Sequence, residues 1–374
     1  MAREPEIFRA YSFDKWLFIA TIVLIVFGLI MVFSSSVILA SEKYNQAFHF
    51  LFNQAIGAAL GLIGIFFMLS IKKPFYQSPH VIYGMLAFSG ALLSVCLAMP
   101  AIEKTNRWIQ ISGIRFQPSE IAKLSLILFL ADHLSRKQGR ISELKSLAFP
   151  LGVLFFLILL IIREPDYGTA ILIFGIGTAM LYLGGVKFRY FIYLGGVSAA
   201  LFGFYLFQAS YRLQRILAFL SPTKDPLGSG FQIIQSKLAV GAGGLLGVSL
   251  GESTQKLFFL PCAHTDYIYA IIGEELGLLG TLSILILFCI ILWRGILISL
   301  RAPDTFCRLV AAGLTLAILG QALLNISIVL GLGPPTGLPL PLISFGRSSL
   351  ICTLLSIGIL LHISQRKEST RARI

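Results

Sequence analysis

Five short stretches of this chain carry side chains able to do acid–base or anion-binding chemistry. LPCAHTDYIYAIIGEELG, residues 260–277, puts His264, Thr265, Asp266, Glu274 and Glu275 at the head of a long apolar run. QPSEIAKLSL, residues 117–126, places Glu120 and Lys123 three apart, so on one helix face. REPDYGT, residues 163–169, holds Arg163, Glu164 and Asp166, and RWIQI, residues 107–111, opens on Arg107 and Trp108. The stretch 325–350, NISIVLGLGPPTGLPLPLISFGRSSL, ends on Arg347 and Ser348.

A carboxylate in a partly buried polar cluster has a tuned pKa and can serve as a general base. Cations beside it can stabilise an anionic leaving group. Each residue also has a plainer role. Asp266 stands where an N-cap would, and Asp fills that role well. Asp166 can cap a helix or be solvated, and Glu120 with Lys123 can be an interfacial ion pair. Glu274 and Glu275 point about 100° apart on a helix, so they do not share one cavity, and one is expected to pair within the bundle.

The elements that position these residues follow from composition. The chain has 374 residues, 56% hydrophobic and only 13% charged, with mean hydropathy +0.86. A soluble domain carries about 25% charged residues, so this chain cannot cover itself with polar surface. Ten apolar segments read as membrane helices: about 16–36, 50–70, 80–99, 118–134, 147–162, 168–185, 188–209, 266–293, 306–330 and 341–363. A β-barrel would show alternating strands of roughly ten residues, and none is seen. The expected fold is an all-α polytopic membrane protein of ten transmembrane helices, a single domain over residues 1–374. A charge at the bilayer centre costs at least ~3 kcal/mol, so charged residues within spans are expected to face a cavity or a partner.

Lys and Arg set the orientation. With the N-terminus in the cytoplasm, every inside segment is basic, from Arg3, Arg9 and Lys15 to Arg366, Lys367, Arg371 and Arg373. Both termini are then cytoplasmic in a multi-pass protein of the cell inner membrane. The net charge of +13 reflects that bias and attraction to anionic lipid. Nucleic acid is a poor partner, because the basic residues are spread over separate short loops. The first span reads as an uncleaved anchor. The five cysteines make no metal spacing, and Cys96 and Cys262 are near enough to the outer face to consider a disulfide.

One connection is long: residues 210–265, between the seventh and eighth helices on the extracytoplasmic side. Arg212 and Arg215 lie one helical turn apart in it. FQIIQSKLAV is amphipathic enough to lie on the membrane surface. The loop is either a loosely packed cap or a binding surface suited to an amphiphile with an anionic head. The Pro/Gly-rich bend before Arg347 breaks a helix near the same face, where irregular backbone must be satisfied by protein or line a cavity. Arg347 should then lie about two turns into the last span.

In order along the chain, QPSEIAKL, EPDYGTA, GSGFQ, AVGAGGLLGVSLGESTQK, LPCAHTDYIYAIIGEELG and PPTGLPLPLISFGRSS resemble the motifs of the SEDS family, which includes FtsW, RodA and SpoVE. The resemblance covers essentially the whole chain. It implies a peptidoglycan glycosyltransferase that polymerises lipid II at the outer face of the membrane. The implied partners are lipid II, a class B penicillin-binding protein that crosslinks the strands, and other divisome proteins. The family's essential acid falls on Asp266. The implied reaction is inverting, with Asp266 deprotonating a sugar 4-hydroxyl, and with Lys123, Arg212, Arg215 and Arg347 as candidate cations for the pyrophosphate. Glu120, His264, Thr265 and Ser348 complete the implied binding set. No cofactor is required, although a divalent cation, Mg or Mn, is compatible with the chemistry. AIIGEELGLLG is more like FtsW, which implies septal synthesis, while Thr336 is more like RodA. Departures from the family pattern are Cys262 for Glu, Glu164 for Gln, Phe345 for Tyr and Arg347 for Gly. The competing functions are a lipid II flippase or carrier, a RodA-like role in elongation, and a division scaffold.

Overall fold

A computed structural model describes residues 13–71, 74–100, 106–111, 114–137, 144–207, 217–226, 228, 230–257 and 259–371. It is mostly helical. In chain order the helices are α1 (Lys15–Tyr44), α2 (His49–Ser70), α3 (Pro79–Ala98), α4 (Pro118–Arg136), α5 (Leu144–Arg163), α6 (Tyr167–Leu183), α7 (Phe188–Phe207), α8 (Phe231–Gly243), α9 (Ile268–Leu300), α10 (Thr305–Val329) and α11 (Arg347–Arg371). A two-stranded antiparallel ribbon, β1 (Ile109–Ile111) with β2 (Ile114–Phe116), precedes α4. Helices dominate because a backbone in lipid must satisfy its own polar groups.

Among the described residues, seven helices are long and apolar enough to cross a membrane: α1, α2, α3, α5, α9, α10 and α11. Among the other helices, α6 is apolar but only 17 residues long. α4 carries Glu120, Lys123, Asp132 and Arg136, yet nearly all of it is buried. Glu120, Lys123 and Asp132 are enclosed by other helices, as their cost in lipid requires, while Arg136 at the helix end is exposed and pairs with Asp132.

Local chemistry sets the helix ends. Asp14 caps α1 through Leu17 N at 3.0 Å, and α1 ends at Asn45 in the left-handed region, φ 51°. Asp304 caps α10 through Cys307 N at 2.7 Å. Arg294 near the end of α9 holds both oxygens of Asp14, Nε at 3.0 and 2.8 Å.

Packing relies on small residues. Gly57 and Gly61 of α2 form a GxxxG stripe that Gly64 extends. A Cβ at Gly57 would stand 3.1 Å from the Arg347 side chain, and one at Gly64 would stand 2.7 Å from Leu355. A Cβ at Gly61 would collide with Leu354. The stripe lets α2 and α11 approach closely, the usual basis of helix pairing in lipid.

α9 is a broken helix. Gly277 has φ 62° and ψ −156°, so a short half, 268–276, is followed by a long half. The freed backbone groups pair with the loop after α8. Val248 N donates to Glu274 O at 3.0 Å and Ser249 N to Glu275 O at 3.2 Å, while Leu278 N donates to Gly244 O at 2.9 Å. Irregular backbone survives at this depth because protein satisfies it.

Two expectations need correction. FQIIQSKLAV does not form an isolated surface helix: α8 buries Ile233, Ser236, Ala239 and Gly243, and Gly243 lies against the Gly273 carbonyl. Its amphipathic face meets protein. The last helix begins at Arg347 and not near 341, because 341–346 forms turns. Arg347 therefore sits at the helix start. Cys96 and Cys262 form no disulfide: Cys96 is buried and donates to Asn106 O at 2.9 Å, and Cys262 is exposed.

Candidate active site

Asp266 sits two residues before α9 and is half-buried. Three segments hold its loop. Asn325 of α10 donates one amide to Asp266 O and to Leu338 O, both at 2.7 Å. Ser344 Oγ donates to Thr265 O at 2.6 Å, and Phe345 N donates to His264 O at 3.0 Å. Gln54 of α2 then bridges the bend, donating to Ser344 O at 3.0 Å and accepting from Gly346 N at 3.1 Å. The 264–266 backbone is thus fixed by the Pro/Gly-rich bend and by amide side chains from α2 and α10. The plainer reading of Asp266, an N-cap of this helix, does not hold: the residue before α9 is Tyr267, and no side chain caps it.

His264 has a supporting role. Its ring lies 4.7 Å from that of Phe50 and 5.9 Å from that of Phe345. Burial, then the charge of Lys43, lowers its pKa to about 4. It is a neutral ring at pH 7 and supplies no charge to substrate. Thr265 Oγ1 donates locally, to Cys262 O at 3.2 Å.

Lys123 and Glu120 form the expected pair on α4, at 2.9 Å and buried. Lys123 also donates to Gln321 Oε1 at 2.6 Å, and Gln321 donates to Pro339 O at 2.9 Å. Gln321 and Asn325 are one turn apart on α10, so they join Lys123 to the bend that carries the Asp266 loop. Arg347 bonds Asn53 Oδ1 and leans over Gly57. Ser348 Oγ is buried without a partner among the described residues. Arg212 and Arg215 lie outside the described residues.

Arg107, in the sequence only one of several outer-face cations, lies close to Asp266 in the fold. Its Nη1 and the Asp266 Oδ2 each lie 3.3 Å from the point where a Cβ on Gly337 would stand. Arg107 Nη2 donates to Pro165 O. In the same loop Asp166 caps α6, accepting from Thr169 N at 3.2 Å and Oγ1 at 2.8 Å, and takes Gln117 Nε2 at 3.0 Å. Asp166 is thus structural. Glu164 is fully buried, and neither of its oxygens has a hydrogen-bond partner among the described residues. Burial first, and the Asp166 carboxylate second, push its pKa up to about 8, against a smaller lowering by Arg107.

Glu274 and Glu275 both pair. Glu275 accepts from Ser34 Oγ at 2.8 and 2.7 Å and from Lys256 Nζ at 2.8 Å. Glu274 accepts from Thr254 N at 3.0 Å, Thr254 Oγ1 at 2.9 Å and Ser253 Oγ. They clamp the 244–257 loop onto the broken helix and are anchors. Among the described residues no group of three or more His, Cys, Asp or Glu side chains could hold a metal ion. A signal for the missed scaffold was present: Asn53, Gln54, Gln321 and Asn325 are amides inside apolar spans, where polar groups bond across helices.

Comparison with known proteins supplies the family. The profile of the FtsW/RodA/SpoVE family, described as cell cycle protein, matches residues 15–369. Stage V sporulation protein E of Bacillus subtilis (strain 168) is 40% identical over 354 residues, 94% of this chain and 97% of that one. The probable peptidoglycan glycosyltransferase FtsW of Trichlorobacter lovleyi is 38% identical, over 97% of this chain and 95% of its own. A chain from a solved peptidoglycan synthase complex, described as coordinating polymerization and crosslinking, superposes with TM-score 0.79 at 27% identity, covering 96% of this chain and 99% of that one.

Proposed function

The chain belongs to the FtsW/RodA/SpoVE family of cell cycle proteins, and from that membership and the site's geometry we propose that it is a peptidoglycan glycosyltransferase with Asp266 as its base. It extends glycan strands from lipid II at the outer face of the inner membrane. Ten helices cross: the seven long apolar ones together with α4, α6 and α7. Both termini are cytoplasmic, and the partner is a class B penicillin-binding protein. Its place is septal synthesis, on the FtsW-like GEELG sequence of the half-helix.

The observation that carries the reading is the fixed loop at Asp266. Its backbone is held from α2, α10 and the 336–346 bend, while the side chain is left half-buried beside Arg107. A base must be held by rigid surroundings within hydrogen-bond reach of the proton it takes. An inverting transfer needs one base, which takes the proton from the attacking sugar hydroxyl as that oxygen bonds the anomeric carbon. The bond to pyrophosphate breaks, and its electron pair leaves with the lipid pyrophosphate. Lys123 acts at a distance, through Gln321 and the bend, and keeps the loop in register. Arg347 is bonded to Asn53 at the start of α11.

The test is polymerisation of labelled lipid II in detergent, with and without a class B partner. Replacing Asp266 with Asn should cut the rate by at least about 100-fold, the usual contribution of a general base, with an unchanged melting midpoint. Polymer at the wild-type rate from that variant would remove Asp266 from the chemistry. Absence of polymer from folded wild type, with transbilayer movement of lipid II in vesicles, would replace the enzyme by a carrier.

A further inference from the structure

Two buried polar groups near Asp266 have no hydrogen-bond partner among the described residues: Arg107 Nε and the Glu164 carboxyl. They belong together. Arg107 is fastened to the Pro165 carbonyl, one residue from Glu164. Arg107 is also among the charges that act on Glu164. The other face of the guanidinium looks toward Asp266 across Gly337. Both Arg107 Nη1 and Asp266 Oδ2 lie 3.3 Å from a common point, so they are at most twice that distance apart.

A separation close to that limit has a chemical meaning. In an in-line displacement the nucleophile approaches to ~3–3.5 Å of the carbon, so attacking and leaving oxygens stand roughly 5 Å apart. Hydrogen bonds to those oxygens leave at near-tetrahedral angles. A base and a cation on one flank are then separated by about 6–7 Å, with hydrogen bonds of ~2.7–2.9 Å to each oxygen.

We propose that Arg107 is a further catalytic residue, the cation that receives the pyrophosphate oxygen as it leaves beside Asp266, and that Glu164, the buried carboxyl next to its Pro165 anchor, bears on its charge. This rests on the transferase reading. The acceptor oxygen gives its proton to Asp266 and bonds the anomeric carbon. The carbon–oxygen bond to pyrophosphate breaks with both electrons going to the phosphate oxygen. The negative charge gained there meets the Arg107 N–H groups that Pro165 does not occupy. A guanidinium offers five donors in a fixed fork, suited to phosphate.

The charge state of Glu164 matters to this. The groups facing it are Asp166 in its own loop, Arg107 opposite and Cys96 of α3. With its pKa near 8, Glu164 is a neutral acid at pH 7 and leaves the charge of Arg107 uncancelled. Above that pH it becomes a carboxylate that competes with the leaving group for Arg107.

The experiment uses the full chain in detergent. Binding of geranylgeranyl pyrophosphate is titrated against geranylgeraniol as the uncharged control, alongside lipid II polymerisation. Arg107→Gln should weaken pyrophosphate binding at least about tenfold, leave the alcohol unchanged, and lower kcat roughly 100-fold with a smaller change in KM. Arg107→Lys, which keeps the charge, should recover part of both and guards against misfolding. Glu164→Ala should lower kcat. Glu164→Gln should restore it and abolish the fall in wild-type rate as pH rises through about 8. Wild-type binding and turnover by folded Arg107→Gln would overturn the inference and leave the transferase intact. Charge-selective binding lost in Arg107→Gln, with no polymer from wild type, would uphold the cation site and sink the transferase.

Discussion

Removing Lys256 should destabilise the protein, and removing its partner as well should restore most of the loss. Lys256 Nζ lies 2.8 Å from Glu275 Oε1, with side-chain exposures of 4% and 0%. The remaining company of Glu275 is the Ser34 hydroxyl, at 2.8 and 2.7 Å. In Lys256→Met the Glu275 carboxylate stays buried with one neutral donor. Breaking a buried pair by removing one partner costs about 3–5 kcal/mol, whereas replacing both partners with neutral groups of similar volume is often near neutral. Lys256→Met should therefore cost about 3–5 kcal/mol, and Lys256→Met with Glu275→Gln should cost under about 2 kcal/mol. The entropy of unfolding near ~2.1 cal/mol/K per residue over 374 residues makes the single change a drop of roughly 5 °C in melting midpoint. The assay is thermal unfolding in detergent of wild type, both single variants and the double variant. A double variant as unstable as Lys256→Met would refute the reasoning, because the penalty would not then come from an unpaired charge.

Glu164→Gln should raise stability above pH 4.5, and most fully from about pH 8 upward. Glu164 has a folded pKa raised from 4.5 to about 8, so the native state holds a proton that the unfolded state releases across that window, and wild-type stability falls as pH rises through it. The gain is at most about 5 kcal/mol at pH 8, and equal melting midpoints of variant and wild type at pH 5 and pH 8 would contradict it. Gly337→Ala should cut polymerisation more than stability. Its Cβ would press on both Arg107 Nη1 and Asp266 Oδ2 at 3.3 Å, from a backbone at φ 75°; kcat at an unchanged KM for lipid II checks this.

Much of the scaffold was legible because a bilayer asks one thing of a segment, continuous apolar length. Each of the ten apolar segments holds a helix. What could not be read is what long-range contacts decide. The break at Gly277 is invisible, since glycine inside an apolar run resembles any membrane-helix glycine, and its saturation by residues 244–249 comes from a separate loop. The amphipathic period of α8 is the same whether its apolar side meets lipid or protein. LPLPLIS, residues 338–344, reads as apolar enough to be helix, but Pro339 and Pro341 keep it in turns. At the site, the HTD segment was legible as polar residues at a span's edge. The nearness of Arg107 to Asp266 was not, because 159 positions separate them (266 − 107) and only the fold brings them to Gly337.

The glycine stripe of α2 has a consequence for biosynthesis. Membrane helices leave the translocon in order, so α2 enters the bilayer long before α11 exists. Until then its groove at Gly57, Gly61 and Gly64 is without the helix that fills it. Asn53 and Gln54 likewise wait for Arg347, Ser344 and Gly346. The Asp266 loop takes its final backbone bonds from that same late segment, through Ser344 and Phe345. A nascent chain that has displayed every residue up to α10 still lacks these bonds, and insertion of the last helix is the event that fixes the Asp266 loop.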